Sequence, residues 1–269
     1  MARILAIANQ KGGVAKTTTV ASLGAAFAEQ GLRVLLVDLD AQACLTFSLG
    51  LDPEEVAASV HDVLLGVVPT GDAIVEAEDG VDLLPATIDL AGTESALLAR
   101  PGREHALATA LAQVAAAYDV VVLDCSPSLG VLTLNALTAA DEVVVPLQCE
   151  MLSHRGVGQL LDTIDDVRRI LNERLVVRGV LPTMYDARTS HARAVLDDVG
   201  ERYGLPVLSP PIPRSVRFAE APALGHSILR TARRSKGAQA YRDVALGLLR
   251  EWKIGPGRRS TRRRRPAAG

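Results

Sequence analysis

Short, continuously apolar segments recur along the chain, and segments with apolar residues at helical spacing lie between them. The apolar segments predict seven strands, at 3–8, 33–38, 81–85, 119–124, 142–147, 175–182 and 206–208. Strands that are apolar on both faces are typical of a parallel sheet covered by helices on both sides. Helical spacing is clearest at 103–118, 153–171 and 236–252, and Gly255 and Pro256 end the last of these helices.

This alternation predicts a doubly wound α/β fold with a mainly parallel sheet and helices on both faces. Such folds bind ligands at the carboxyl ends of their strands. The chain has 269 residues, 48% of them hydrophobic, which is enough for a large core. Because no repeat or linker interrupts residues 1–254, we expect one folded domain there, followed by a tail at 255–269.

Charge is distributed unevenly between the domain and the tail. The formal net charge is −2, but the tail carries six arginines and no acids, so the rest of the chain has a net charge of −8. A segment of this composition is expected to be disordered. It is either a solubilising tail or a contact for polyanions, and composition leaves both open.

Several classes of protein are disfavoured by composition. No run of about 18 uncharged apolar residues occurs, so no membrane span is expected. The first residues read as a strand rather than as a signal peptide. Three widely spaced cysteines, Cys44, Cys125 and Cys149, indicate a reduced cytoplasmic protein rather than a disulfide framework or a zinc site.

The strongest chemical signal is residues 9–19, NQKGGVAKTTT, which follow the first predicted strand and precede a helix. A phosphate-binding loop needs this context, because backbone N–H groups and the helix N-terminus then face the phosphates. Gly12 and Gly13 allow close backbone approach. Lys16 is predicted to reach the β- and γ-phosphates, Thr17 to bind Mg²⁺ and Thr18 to bind the α-phosphate. The alternative is a strand–helix turn without a ligand.

A second lysine, Lys11, makes the motif more specific. KGGVAKTT resembles the deviant Walker A motif of the ParA/MinD family of ATPases. The resemblance implies a P-loop ATPase that uses ATP and Mg²⁺, with the nucleotide held by residues 11–18, including Val14. It also implies an ATP-sandwich homodimer, in which Lys11 contacts the ATP of the other subunit.

Two further segments resemble motifs of the same family. VLLVDLDAQACLTFSLG implies that Asp40 positions the attacking water and that Asp38 is the acid near Mg²⁺. VVVLDCSPSLG resembles the Walker B and second switch region, in which Asp124 holds Mg²⁺ through water. Helix capping or turn formation is the alternative role for Asp38 and Asp124.

Segments in the second half are similar to those of Soj-type chromosomal ParA proteins, notably LTLNALTAADEVVVPLQCE, PTMYDARTSHAR and PPIPRSVRFAEAPALG. This resemblance implies that Arg188 and Arg217 bind DNA without sequence preference and that Arg214 belongs to the same surface. It also implies that Pro213 and Ser215 lie at the adenine site. Solvated salt bridges are the alternative role for the arginines.

One residue of the loop departs from the motif. Ala15 stands where the family has glycine. A methyl group costs little there if the backbone dihedrals are helical, and roughly 1 kcal/mol or more if φ is positive. We expect helical or near-helical dihedrals at Ala15 and ordinary ATP binding.

Three functions are compatible with these motifs. The first is a ParA-type partition ATPase that is cytoplasmic and nucleoid-associated and works with a ParB-type partner. The second is a MinD-like ATPase at the membrane surface. The tail lacks the apolar face of a membrane anchor, so no stable membrane association is expected. The third is a nucleotide-sensing regulator of replication initiation.

Overall fold

The strands form one seven-stranded sheet in the order β3-β4-β2-β5-β1-β6-β7. A computed structural model describes residues 2–149, 153–186, 188–255 and 257, so nearly all of the predicted tail lies outside the described residues. The strands are β1 Arg3–Ile7, β2 Val34–Leu39, β3 Val75–Glu76, β4 Asp82–Leu84, β5 Val120–Cys125, β6 Glu142–Gln148 and β7 Val176–Thr183. All neighbours pair in parallel except β3 and β4. The predicted doubly wound, mainly parallel fold is confirmed.

Helices connect the strands and cover both faces of the sheet. In the described residues the α-helices are α1 Lys16–Glu29, α2 Cys44–Ser48, α3 Val60–Leu64, α4 Thr70–Ala73, α5 Leu90–Leu98, α6 Ala106–Ala112, α7 Val131–Ala139, α8 Ser153–Ile170, α9 Ser190–Tyr203, α10 Arg217–Glu220, α11 Ile228–Thr231 and α12 Lys236–Trp252. Short 3₁₀ helices occur at Glu78–Gly80, Arg103–His105, Ala115–Ala117 and Pro222–Leu224. The predicted helix at 236–252 is confirmed.

The core has two layers, one on each face of the sheet. Alternate residues of β2 point to opposite layers, with Leu35 and Val37 in one and Leu36 in the other. α1 and α12 pack together on one face, where the rings of Phe27 and Trp252 have centroids 5.6 Å apart. Burial on both sides explains why the strands are continuously apolar.

The predicted helix at 103–118 is wrong in its extent, because the segment breaks into the 3₁₀ helix Arg103–His105, α6 and the 3₁₀ helix Ala115–Ala117. The Asn135 side chain of α7 causes the first break. Leu107 N donates to Asn135 Oδ1 at 3.0 Å, and Asn135 Nδ2 donates to Arg103 O at 2.8 Å. A side chain from another helix therefore caps α6. The spacing of apolar residues within the segment cannot predict such a contact.

The predicted strand at 206–208 is also wrong. Val207 forms only an isolated parallel bridge with Val180, on the outer side of β7. Pro206, Pro210 and Pro211 surround it and lack the N–H groups that a longer ladder needs. The two-residue strand β3 was not predicted, because it is too short for a periodic pattern. No helix in the described ranges has the length and apolar character to span a membrane.

Candidate functional site

The site lies where three neighbouring strands end. β5 lies between β2 and β1, and Asp124 of β5 is in register with Asp38 of β2 and Ile7 of β1. The chain leaves β1 through the loop 8–15 and enters α1 at Lys16. The topology therefore brings the predicted phosphate loop next to both aspartates, at the edge where this class of fold binds ligands.

Two distant strands hold the phosphate loop in place. Asn9 Nδ2 donates to Pro146 O of β6 at 2.7 Å, and Thr183 Oγ1 of β7 donates to Val14 O at 3.0 Å. Lys11 N donates to Asn9 Oδ1 at 2.9 Å within the loop. These bonds anchor both ends of the loop, while Gly12 and Gly13 are exposed.

Lys16 is buried among carboxylates at the start of α1. Its side chain is folded back so that Nζ donates to Lys11 O at 3.2 Å, and the residue is only 8% exposed. Burial lowers the pKa of Lys16, while the charges of Asp124, Cys125 and Asp40 act to raise it. A buried ammonium with one backbone acceptor has further donors for an anionic ligand.

The expectation of helical dihedrals at Ala15 is wrong. Ala15 has φ 65° and ψ 36°, in the left-handed region, directly before α1. The loop needs this conformation to turn from Val14, whose carbonyl is fixed by β7, into the helix. A methyl group in this region costs roughly 1–2 kcal/mol, which is why glycine is the usual residue in such turns.

We therefore expect Ala15→Gly to relieve strain and raise the unfolding midpoint, while nucleotide affinity changes by less than about tenfold, or about 1.4 kcal/mol, because the strain is already present without ligand. Gly13 also has a positive φ of 73°, and a Cβ there would meet no atom within 4 Å, so Gly13→Ala introduces the same strain without a clash. Gly12→Ala is the matched control for stability, because its added Cβ also meets nothing within 4 Å and its φ is not positive. Thermal unfolding of the three variants without nucleotide, with ADP titration of Ala15→Gly alone, measures the effect. Equal behaviour of Gly13→Ala and Gly12→Ala would contradict it.

Asp124 is a buried carboxylate with no hydrogen-bond partner. The residue is 1% exposed, and neither carboxylate oxygen has a partner among the described residues. Burial raises the pKa of Asp124 well above its usual range, and the charge of Asp38 raises it further; Thr17 and Lys16 act in the opposite direction. An unsatisfied carboxylate beside a threonine hydroxyl fits a hard divalent cation, which prefers oxygen ligands.

Asp38 is in a different situation, because its oxygens already accept hydrogen bonds. Thr46 donates to Oδ2 through its N at 2.9 Å and its Oγ1 at 2.8 Å, and Asp40 N donates to Oδ1 at 3.2 Å. Burial raises the pKa of Asp38 to about 6 despite the hydrogen bonds from Thr46. Asp40 is half-buried, and its Oδ1 accepts from Gln42 N at 3.0 Å. Asp38 therefore fixes the turn that presents Asp40.

A cavity of about 440 Å³ adjoins the phosphate loop. Its lining residues are Gly13, Ala15, Thr18, Thr183, Met184, Ile212, Arg214, Ser215, Val216, Phe218, Ala219 and Tyr241. Of the predicted base-site residues, Ser215 lines this cavity. Sequence reasoning missed Met184, Phe218 and Tyr241, which come from separate segments and carry no local signal.

Pro213 lies elsewhere, in a neighbouring cavity of about 680 Å³. This second cavity contains Arg188, Arg214 and Lys236. Arg214 is the one described residue that lines both cavities.

The predicted DNA-binding arginines make local ion pairs. Arg188 is 89% exposed at its side chain, and its Nη2 lies 2.7 Å from Asp186 Oδ2. Arg217 Nη1 lies 2.8 Å from Glu220 Oε2. These are exposed pairs, which contribute little to stability, so both guanidinium groups are accessible to a competing anion.

Comparison with known proteins extends these observations. A family profile described as AAA domain matches residues 2–177. Sporulation initiation inhibitor protein Soj of Bacillus subtilis (strain 168) is 46% identical over 246 residues, which are 91% of this chain and 97% of Soj. Chromosome partitioning protein ParA of Caulobacter vibrioides (strain NA1000 / CB15N) is 46% identical over 246 residues, covering 90% and 92% of the two chains.

A solved structure is also similar over nearly the whole chain. It is described as cobyrinic acid a,c-diamide synthase from Mycobacterium smegmatis, with bound ATP analog and magnesium. It is 60% identical, with a TM-score of 0.86, and the match covers 94% of this chain and 96% of that chain. The same protein has also been solved with bound ADP and magnesium.

Proposed function

Because this chain belongs to the ParA/MinD family of ATPases, among which Soj and ParA chromosome partitioning proteins are its relatives, we propose that it acts in chromosome or plasmid partition. In this proposal ATP drives formation of a homodimer, and the dimer binds DNA without sequence preference. A ParB-type partner then stimulates hydrolysis, which releases the dimer. We expect a cytoplasmic, nucleoid-associated protein.

The observation that carries the proposal is the buried pair of Lys16 and Asp124 beside the phosphate loop. Lys16 is oriented toward the loop by the Lys11 carbonyl and contributes positive charge for the β- and γ-phosphates. Thr17 and Asp124 would hold Mg²⁺, which neutralises phosphate charge when bound. Thr18, at the wall of the 440 Å³ cavity, would contact the α-phosphate.

The two other carboxylates are assigned different roles. Asp40 would orient the attacking water, because it is half-buried at the site edge. Asp38 would act mainly by fixing the Asp40 turn, since Thr46 already occupies one of its oxygens with two donors. Of the metal residues predicted from sequence, we therefore propose Thr17 and Asp124 as direct ligands or ligands through water.

The cavity of 440 Å³ is the proposed site of the adenine base. It adjoins Gly13, Ala15 and Thr18 of the phosphate loop, and Ser215 offers a hydroxyl. Phe218 and Ile212 provide the apolar surface that a purine needs. Pro213 is assigned to the backbone around the cavity rather than to its wall.

Lys11 is proposed to act across a dimer interface. It lies in the exposed part of the same loop as Lys16, but its side chain is less buried. A triphosphate shared by two chains provides an anionic partner for a lysine that becomes buried when a dimer forms.

DNA is proposed to bind at Arg188, Arg214 and Arg217. Two of these line the 680 Å³ cavity, and ion pairs with Asp186 and Glu220 have to exchange for contacts with phosphates. The charge of −8 outside the tail opposes binding at long range. We therefore expect each protomer to bind weakly, and a dimer that doubles the contacts to bind well.

Replacing Arg188 and Arg217 together by alanine is expected to abolish the ATP-dependent part of DNA binding. Deleting residues 255–269 should lower affinity in every nucleotide state yet leave that part intact. Each lost phosphate contact lowers the salt slope of duplex binding by about 0.9. Fluorescence anisotropy with duplex DNA, at several salt concentrations and with ADP or a non-hydrolysable ATP analogue, measures both. Normal ATP-dependent binding by the double variant would contradict the assignment.

The same preparation distinguishes the alternative functions. Co-sedimentation with anionic liposomes rather than DNA would favour a MinD-like membrane ATPase. DNA-independent nucleotide binding without turnover would favour a nucleotide-sensing regulator of replication initiation. Turnover that requires cobyrinic acid would favour the activity named for the Mycobacterium smegmatis structure. Stimulation by DNA and a ParB homologue supports partition.

A further inference from the structure

One segment forms much of the wall of the 440 Å³ cavity, which we call the base cavity, and is anchored beyond that wall, next to α1. We call residues 215–227 the cavity strap. Ser215, Val216 and Phe218 line the 440 Å³ cavity at its beginning. The strap then continues through α10 and the 3₁₀ helix Pro222–Leu224 to Ser227. Its position determines the shape of the cavity.

The end of the strap is held by the 3₁₀ helix before β4. Ser227 N donates to Asp79 Oδ2 at 2.7 Å, and His226 Nδ1 lies 3.3 Å from Asp79 Oδ1. The Asp79 side chain is 3% exposed, and the residue has a positive φ of 62°. Aspartate tolerates this conformation better than most residues, but it still carries a conformational cost.

Three buried polar atoms of this contact, Asp79 Oδ1, His226 Nδ1 and Ser227 Oγ, have no hydrogen-bond partner in the part of the chain that the structure describes. Unsatisfied buried polar groups are unfavourable for stability, so a cluster of them calls for a functional explanation. Apolar groups buried in their place would make the folded state more stable. The hydrogen bond from Ser227 N to the buried Asp79 carboxylate, with His226 beside it, instead provides a directional anchor for the strap.

The anchor is also adjacent to the phosphate loop. His226 and Ser227 line a small cavity of about 20 Å³ together with Thr18 and Ser22 of α1. Thr18 lines the base cavity as well. The strap crosses the chain tightly here, because a Cβ on Gly225 would lie 2.9 Å from Gly50 Cα. A shift of the anchor is therefore transmitted to both sides of the base cavity.

We propose that Asp79 and His226 are positioning residues that hold the cavity strap closed and so preform the base cavity. This role rests on the proposed nucleotide binding, because the anchor would determine how tightly the base cavity binds the nucleotide. If the anchor is removed, the strap is in its binding-competent position for only part of the time. The apparent dissociation constant then rises in inverse proportion to that fraction.

The test compares two substitutions at Asp79 with one at the point where the strap crosses Gly50. Asp79→Gly keeps the positive φ without strain and removes the carboxylate. Asp79→Asn keeps an acceptor for Ser227 N–H and tolerates the same φ. Gly225→Ala displaces the strap directly at its crossing with Gly50. Measurements are Mg-ADP affinity by calorimetry, amide hydrogen exchange over residues 216–227, and the unfolding midpoint.

For Asp79→Gly we expect a dissociation constant about tenfold higher and faster exchange at Ser227, while Asp79→Asn stays within about twofold. Gly225→Ala should resemble Asp79→Gly. Unchanged exchange over the strap in Asp79→Gly overturns the proposal, as does faster exchange with unchanged Mg-ADP affinity. A wild-type protein that binds no Mg-ADP overturns the proposed function instead, and the exchange data still decide whether Asp79 holds the strap.

Discussion

Replacing Lys16 by alanine is expected to reduce ATP affinity by about 100-fold or more, which corresponds to about 2.7 kcal/mol. Lys16 is buried beside Asp124, and its ammonium donates to the Lys11 carbonyl within the loop. A ligand phosphate therefore gains a desolvated, charge-assisted contact. Lys236 and Lys253 lie outside the loop, and Lys11 is assigned to the nucleotide of the other subunit.

Lys11→Ala should behave differently, because Lys11 is assigned to the nucleotide of the other subunit. This variant should keep ATP binding within about tenfold of wild type but fail to form the dimer. Size-exclusion chromatography with a non-hydrolysable ATP analogue, together with nucleotide titration, separates the two losses. Lys253→Ala is the control, because this exposed residue follows α12 and is remote in sequence from the loop. A Lys11→Ala dimer of normal stability would rule out the cross-subunit role.

Asp124→Asn is expected to stabilise the ligand-free protein while reducing ATP hydrolysis by about 100-fold or more. The substitution keeps the shape of the side chain but removes a charge that is buried and close to Asp38. Among the described residues, neither oxygen of this carboxylate has a donor in hydrogen-bond geometry. The same charge is the proposed support of Mg²⁺. Gain of stability and loss of turnover in one variant would identify a residue retained for function.

The pH dependence of stability provides a second measure of this site. Burial raises the pKa of Asp38 to about 6 and that of Asp124 well above its usual range. The native state therefore binds more protons than the unfolded state at pH values between the unfolded and native pKa. The free energy of unfolding of the ligand-free protein should therefore fall as pH rises from about 4 to about 6, because Asp38 loses its proton in the native state over this range. It should fall further at higher pH, where Asp124 loses its proton.

In Asp124→Asn this decrease should be smaller, because one of the two raised carboxyl groups is absent. Urea denaturation at a series of pH values, without nucleotide or Mg²⁺, measures it. Asp72→Asn is a suitable control, since Asp72 is an exposed carboxylate on α4. Lower stability of Asp124→Asn than of wild type at pH 7 would contradict the interpretation that the cost of burying the Asp124 charge exceeds its attraction to Lys16.

The sequence by itself determined the class of fold and the place of the phosphate loop. Continuously apolar strands between helices indicate a sheet buried on both faces, and this follows from composition over short windows. The loop from Asn9 to Thr19 is contiguous, so its chemistry and its place between β1 and α1 can be read locally. Asp38 and Asp124 were identified in the same way, because each lies in a contiguous segment, VLLVDLDAQACLTFSLG or VVVLDCSPSLG, that resembles a motif of the family.

Only the tertiary structure decided what those residues can do. Ala15 has a left-handed backbone because β7 fixes the carbonyl before it, a contact between residues 169 positions apart. Asp38 and Asp124 look alike in sequence, yet Thr46 satisfies one and nothing described satisfies the other. The base cavity is built from segments near 13, 184, 215 and 241. Dihedral strain, hydrogen-bond satisfaction and cavity walls depend on long-range contacts, which local patterns do not record.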